Sequence, residues 1–160
     1  MRLRPFLLTD ESAVHRYASD PEVTRYPDWG PNTPEETAEF IRQAVDPPPS
    51  THSFAVELKA DGELIGAAEL RVLDGRGEFG YTIARAWWGQ GYATEAARLL
   101  VEYGFGPLGL RRIEATSDPR NVASARVLAK VGLRQVGYLP DHLLVRGAWR
   151  DSLVFAIDRD

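Results

Sequence analysis

Two glycines, Gly89 and Gly91, separate an alternating apolar run (Phe79, Tyr81, Ile83) from small and apolar residues at helical spacing (Ala93, Ala96, Ala97, Leu100, Val101). That order puts a strand-to-helix turn at Trp88-Gly89-Gln90-Gly91-Tyr92-Ala93-Thr94,. The first amides of a helix have no acceptor inside it, and they sit at the positive end of its dipole. With side-chain-free glycines beside them, they form a cradle for a phosphate or pyrophosphate. A second group lies downstream, where Asn121 and Ser124 share one face near the start of a helix that Gly132 is placed to end,. Taken alone, Asn121 reads as a helix cap and Ser124 as a surface hydroxyl.

The glycine loop is not a Walker loop, because no Lys-Ser or Lys-Thr pair follows its glycines,. A dinucleotide fingerprint is a sharper competitor, since Glu114 follows roughly twenty residues on, where a ribose-binding acid would stand,. That fingerprint needs Gly or Ala where this chain has Thr94,. It also opens a parallel βαβ unit, whereas this loop follows three strands joined by tight turns.

Those strands belong to a longer series. Leu3–Leu8 reads as a strand and Thr9 or Asp10 as the cap of a helix to Ala18, which Asp20-Pro21 breaks,. Tyr26 to Asn32 is an aromatic loop, and Thr33-Pro34-Glu35-Glu36 starts a helix that the prolines after Asp46 end,. Strands follow around Phe54–Leu58, over Leu64–Leu73 and over Glu78–Ala84, with turns at Asp61-Gly62 and at Asp74 to Gly77,. After the glycine loop come a helix, a strand at Ile113–Ser117, a helix at Asn121–Val131, and strands at Arg134–Tyr138 and Ser152–Ile157. The order β-α-α-β-β-β-α-β-α-β-β gives an α+β (mixed α/β) layout with hairpins at its centre.

With 160 residues, no repeat and no linker, the chain reads as a single domain over 1–160,. There is no cysteine, so a thiol nucleophile, disulfides and cysteine-based zinc sites are out,. His15, His52 and His142 lie far apart without HExxH spacing, and no metal site is expected,. A net charge of −4 argues against nucleic acid as a partner,. No apolar run reaches the roughly 18–20 residues of a membrane span, and the N-terminus lacks the apolar core of a signal peptide. A cytoplasmic protein without membrane partners is expected.

The two chemical groups together, Trp88-Gly89-Gln90-Gly91-Tyr92-Ala93 and Asn121-x-x-Ser124 with Lys130-x-Gly132, resemble the GCN5-related N-acetyltransferase (GNAT) family. The match is closest to its branch that acetylates ribosomal-protein N-termini. It extends to Leu3-Arg4-Pro5, Asp20-Pro21-Glu22-Val23, Glu78-Phe79-Gly80-Tyr81 and Arg146-Gly147-x-Trp149-x-Asp151. The resemblance implies a mostly antiparallel mixed sheet of six or seven strands with about four helices, and central strands splayed around acetyl-coenzyme A. It implies that amides from Gln90 through Gly91, Tyr92 and Ala93 to Thr94 hold the pyrophosphate. The pantetheine arm would pair with the strand at Ile83, and Asn121 would bond to that arm. Family loops often begin with Gln or Arg where this chain has Trp88, so a side-chain contact to phosphate is lost. The resemblance also admits a homodimer.

The implied reaction is acetyl transfer to a primary amine, at a peptide N-terminus or on a small molecule. Without cysteine, direct attack in a ternary complex is favoured over a cysteinyl intermediate, with positioning supplying much of the acceleration. Glu78 is the first choice as base by position in the family pattern, with Glu69, Asp118 or a water chain as alternatives. Many relatives use as acid a tyrosine two residues before the motif lysine; here that position is Leu128, and Ser124 is the hydroxyl on the same helix. The missing tyrosine keeps a non-catalytic acyl-coenzyme A binding or sensing domain as the alternative. Tyr26 and Trp29 are candidates for lining the acceptor groove, and Trp87 reads as packing.

Overall fold

The computed structural model describes residues 1–160 as one seven-stranded sheet with four α-helices. In chain order these are β1 (Arg2–Arg4), α1 (Glu11–Ala18), α2 (Pro34–Val45), β2 (Thr51–Glu57), β3 (Leu64–Leu73), β4 (Arg76–Ile83), α3 (Tyr92–Phe105), β5 (Arg112–Ser117), α4 (Val122–Lys130), β6 (Arg134–Val145) and β7 (Ala148–Asp158). The sheet order is β1-β2-β3-β4-β5-β7-β6, antiparallel throughout except for the parallel β4–β5 pair. The expected order of elements and the mixed, mostly antiparallel sheet are both present.

Local chemistry accounts for the boundaries. The Thr33 hydroxyl accepts from the Glu36 amide at 3.2 Å and the Glu36 carboxylate accepts from the Thr33 amide at 3.1 Å, a capping box with Pro34 in the first turn,. Such a cap contributes about 1 kcal/mol. At the far end of α4, Leu133 N–H bonds to Leu128 O and Gly132 N–H to Ala129 O. With Gly132 at φ 96°, this is the Schellman pattern, and Leu128 and Leu133 are both buried beneath it,. Asp74 and Gly75, both at positive φ, close the β3–β4 hairpin as a two-residue turn,.

Three expected strands differ most in extent, the last of them beginning at Ala148 rather than Ser152 because it pairs with a lengthened partner. The first stops at Arg4, not Leu8: Pro5 has no N–H to give a ladder, and the Leu7 amide is drawn to the Asp10 carboxylate at 2.8 Å,. The Arg4 guanidinium holds that same carboxylate at 2.8 and 2.9 Å, and also bonds to Glu57. The penultimate strand runs on to Val145 where an end at Tyr138 was expected. Pro140 and Asp141 (φ 46°) lie within its Leu139–Leu143 irregularity, which an edge strand tolerates,.

The sheet separates two apolar clusters. α3 and α4 cover the larger, built around Val56, Ile65, Leu70, Phe79, Ile83, Leu100 and Ile113. α1 and α2 cover the smaller, which contains Val14, Tyr17, Ile41 and Ala55. Phe79, Tyr81 and Ile83 therefore face α3 and α4, and Glu78, Gly80 and Thr82 take the other face,. Gly66 lets β3 approach β4, since a Cβ there would lie 2.0 Å from the Thr82 carbonyl oxygen.

Candidate active site

β4 and β5 pair only at Arg76–Arg112, Gly77–Ile113 and Glu78–Glu114. Beyond Glu78 the strands part, giving the expected splay. Ala84 N–H bonds to Ile65 O on the β3 side. By alternation, the backbone groups of Ile83 and Tyr81 point to the other edge, into the opening,.

The strand then turns into the glycine loop. Gly89 (φ 74°) and Gly91 (φ 85°) both adopt the left-handed conformation, and nothing lies within 4 Å of a Cβ built on either. Gly91 is the N-cap of α3 and offers no side-chain acceptor. The first helical bond is Glu95 N–H to Gly91 O, so the amides of Tyr92, Ala93 and Thr94 have no acceptor within the helix,. The loop is exposed at Trp88–Gly91. Its open space and unpaired amides fit a pyrophosphate, and the splayed edge beside it fits an extended amide-bearing arm.

Trp88 holds a position that the sequence did not give. Its indole N–H donates to Ile83 O at 2.7 Å, tying the start of the loop to the end of β4. Of the two groups that Ile83 turns toward the opening, the carbonyl thus has a protein donor and the N–H is left for a ligand carbonyl. Trp87 packs edge-on against Tyr92, as packing was expected.

On α4, the Asn121 Oδ1 accepts from Ser124 N–H at 3.1 Å, so Asn121 does cap the helix. Its amide nitrogen makes no bond to protein and remains as a donor. Ser124 Oγ lies 3.3 Å from the Tyr81 hydroxyl, which reaches across from β4. Burial raises the Tyr81 pKa above the ordinary tyrosine range, against a smaller lowering by Ser124, so the phenol stays protonated,. Leu128 is fully buried in the larger core and presents no polar group. Chain order alone gave no sign that Tyr81 meets Ser124, because 43 residues separate them.

The three candidate bases differ in their surroundings. Glu78 is exposed, forms no ion pair, and lies opposite Arg71 on β3 and Glu114 on β5. Glu69 accepts from Ser53 Oγ at 3.1 Å and from Arg71 Nε at 2.7 Å. Asp118 is buried and accepts from Arg120 through N at 2.8, Nε at 3.0 and Nη2 at 2.7 Å. Burial would raise its pKa, yet the Arg120 bonds outweigh that and hold it low,. Glu69 and Asp118 are each held by a guanidinium partner, and Glu78 has none.

The Tyr26–Trp29 segment lies beside this region. Tyr26 Oη is 3.5 Å from Arg120 O, next to Asn121, and the Arg25 and Arg120 guanidinium groups sit over its ring at 5.5 and 5.9 Å. Trp29 is half-buried against the smaller core, so packing is at least part of its role.

Residues 1–134 match the family model described as an acetyltransferase (GNAT) domain. The chain belongs to the GNAT acetyltransferase family. This N-acetyltransferase is 33% identical to p20 of Bacillus licheniformis, described as an uncharacterized N-acetyltransferase, over 98% of this chain and 92% of that protein. It is 35% identical to the [ribosomal protein uS5]-alanine N-acetyltransferase of Escherichia coli, over 59% of this chain and 51% of that one. Among solved structures, a GNAT-family acetyltransferase from Bacillus anthracis superposes with a TM-score of 0.90 at 32% identity, covering 98% and 93% of the two chains. The Mycobacterium smegmatis RimJ, solved in complex with CoA-disulfide, gives 0.83 at 30% identity, covering 98% and 80%. The fold, the family and the reaction class thus agree with the sequence reading: this GNAT enzyme transfers an acetyl group from acetyl-coenzyme A to an amine. No helix of the chain is long and apolar enough to cross a membrane.

Proposed function

We propose that the chain acetylates the α-amine of a peptide or protein N-terminus, with the donor seated in the β4–β5 opening. The observation that carries the donor seat is the opening itself, bordered by the free edge at Tyr81, the Ile83 N–H and the unpaired amides that begin α3. In this reading the amides from Gln90 to Thr94 hold the pyrophosphate. Ile83 N–H and the Asn121 amide hold the pantetheine arm. Tyr26 and Trp29 line the acceptor groove.

Thioester aminolysis needs a neutral amine, a stabilised oxyanion and a proton for the departing thiolate. Glu78 and Ser124 lie on opposite faces of the sheet at the opening. An amine approaching from the α1–α2 face can therefore lose its proton to Glu78, directly or through water. The thiolate leaves on the α4 face, where Ser124 can supply a proton. Backbone N–H groups at the free β4 edge would stabilise the oxyanion. A coenzyme A thiol titrates near the free-cysteine value of about 8.5, so its thiolate leaves with little help and a serine hydroxyl suffices.

The exposed, unpaired Glu78 supports an α-amine over a lysine. An α-amine titrates near 8 and a lysine near 10.4, so a lysine is harder to neutralise at pH 7 by roughly 3 kcal/mol. The name of the uS5-alanine relative points the same way. The reading also includes a cytoplasmic setting, no nucleic-acid partner and a homodimer, the last to be checked by sedimentation. The test of the acceptor is thiol release from acetyl-coenzyme A with an alanine-headed hexapeptide, its N-terminally blocked lysine-containing analogue, and spermidine. Release with the first and not the others is expected. Turnover of spermidine alone would replace the peptide with a small polyamine.

A further inference from the structure

The motif Arg146-Gly147-x-Trp149-x-Asp151 has so far no part in the chemistry. In the fold, Arg146 and Gly147 form the two-residue turn between β6 and β7, pairing Val145 with Ala148, at φ 46° and 81°. Such turns favour Asn-Gly, because both central residues must adopt positive φ. An arginine in the first position is off that preference, and a residue kept in a disfavoured conformation invites the question of what its side chain does.

The Arg146 side chain reaches back over the sheet to the segment between α1 and α2. Its Nη1 donates to Gly30 O at 3.0 Å and Trp29 O at 3.3 Å. Its Nη2 donates to Arg25 O at 2.7 Å and Pro27 O at 3.2 Å. Arg150, on the same hairpin and buried, donates to Tyr26 O at 2.9 Å. Two guanidinium groups thus gather five carbonyls from residues 25–30. Charge-assisted bonds of this kind are strong, and their fixed fork sets shape as well as distance. The gathered segment carries Tyr26 and Trp29, and Tyr26 reaches the residue that precedes Asn121.

We infer that Arg146 is a positioning residue for acceptor specificity: its grip on the 25–30 carbonyls holds Tyr26 and Trp29 as a fixed wall of the amine groove. This rests on the reading of that segment as the acceptor wall. Arg146 touches neither donor nor reacting atoms, so its removal acts on acceptor recognition and not on donor binding.

The decisive variant is Arg146→Asn, which suits the turn better than arginine and removes the grip. KM for the alanine-headed hexapeptide, or for spermidine if wild type uses that instead, is expected to rise at least fivefold. KM for acetyl-coenzyme A should stay within twofold and Tm should not fall. Trypsin cleavage after Arg25 should become about tenfold faster, as the released segment opens. Unchanged acceptor KM overturns the inference, whether or not cleavage changes. A fall in Tm with both KM values raised together also overturns it, by making Arg146 a fold residue. Wild type releasing no thiol with either amine marks failure of the parent reading instead, and the tryptic rate then decides alone whether the grip exists.

Discussion

The Tyr81 hydroxyl stands 3.3 Å from Ser124 Oγ, joining the free half of β4 to the first turn of α4. Either hydroxyl can donate across this contact, and with Tyr81 as the donor the serine proton is free to turn toward a leaving sulfur,. Ser124→Ala is expected to lower kcat by about ten- to a hundredfold, at the low end of general acid effects because the thiolate is a good leaving group. Tyr81→Phe should lower kcat less, and should add nothing in the Ser124→Ala background. Full turnover of Ser124→Ala at saturating acetyl-coenzyme A would remove the hydroxyl from the chemistry.

Glu78 should matter most where the amine is most protonated. Glu78→Gln is expected to reduce kcat/KM for the peptide acceptor about tenfold or more at pH 7. The deficit should shrink as pH rises past the α-amine value near 8, where the acceptor is already neutral. A pH–rate profile checks this, and a constant ratio across pH would point to a water chain with no single base.

Trp88 ties the start of the glycine loop to the end of β4. Trp88→Phe leaves a smaller aromatic ring and removes the indole N–H that bonds to Ile83 O. One such bond contributes about 1 kcal/mol, so acetyl-coenzyme A affinity should fall roughly fivefold, measured by calorimetry. Unchanged affinity would mean that the loop keeps its shape without the tie.

Gly91 sits at φ 85° with open space where a Cβ would go. Gly91→Ala therefore meets no clash but bears the left-handed strain of roughly 1–2 kcal/mol. Acetyl-coenzyme A affinity should drop about tenfold while the apo Tm moves by only a few degrees. A variant that binds as wild type would show that the loop does not need this conformation to hold the donor.

Away from the site, Asp10 gives a pH signature. Burial pushes its pKa up, but the Arg4 bonds and the Leu7 amide outweigh that, and the net shift is down,. A carboxylate whose folded pKa lies below its unfolded value of about 3.9 adds stability above that value and loses it as pH falls through the folded one. Asp10→Asn should cost about 2 kcal/mol at pH 7 by denaturant unfolding, and the gap to wild type should begin to close near about pH 4 and vanish only below the lowered folded pKa,. A gap that persists in acid would assign the cost to packing.

How legible each part was follows from where its determinants lie in the chain. α2 was readable because Thr33, Pro34 and Glu36 are adjacent. The glycine loop was readable because one strand, two glycines and one helix follow in order. The full β6–β7 hairpin was not, because Pro140 and Asp141 interrupt the alternation that reveals a strand and only the edge position tolerates them,. Contacts made by folding were invisible: Tyr81 on Ser124, and Arg146 on carbonyls more than a hundred residues away. The Trp88 tie spans only five residues, yet an indole bonding to a backbone carbonyl leaves no compositional mark.

The three residue pairs between β4 and β5 have a mechanical meaning as well. They make the sheet two leaves on a short hinge, β1 to β4 on one side and β5, β7 and β6 on the other. Past the hinge, no backbone ladder resists a change in the angle between the leaves. A ligand lying in the gap and bonding to both β4 and α4 would act as the missing rungs, and its binding would stiffen the sheet.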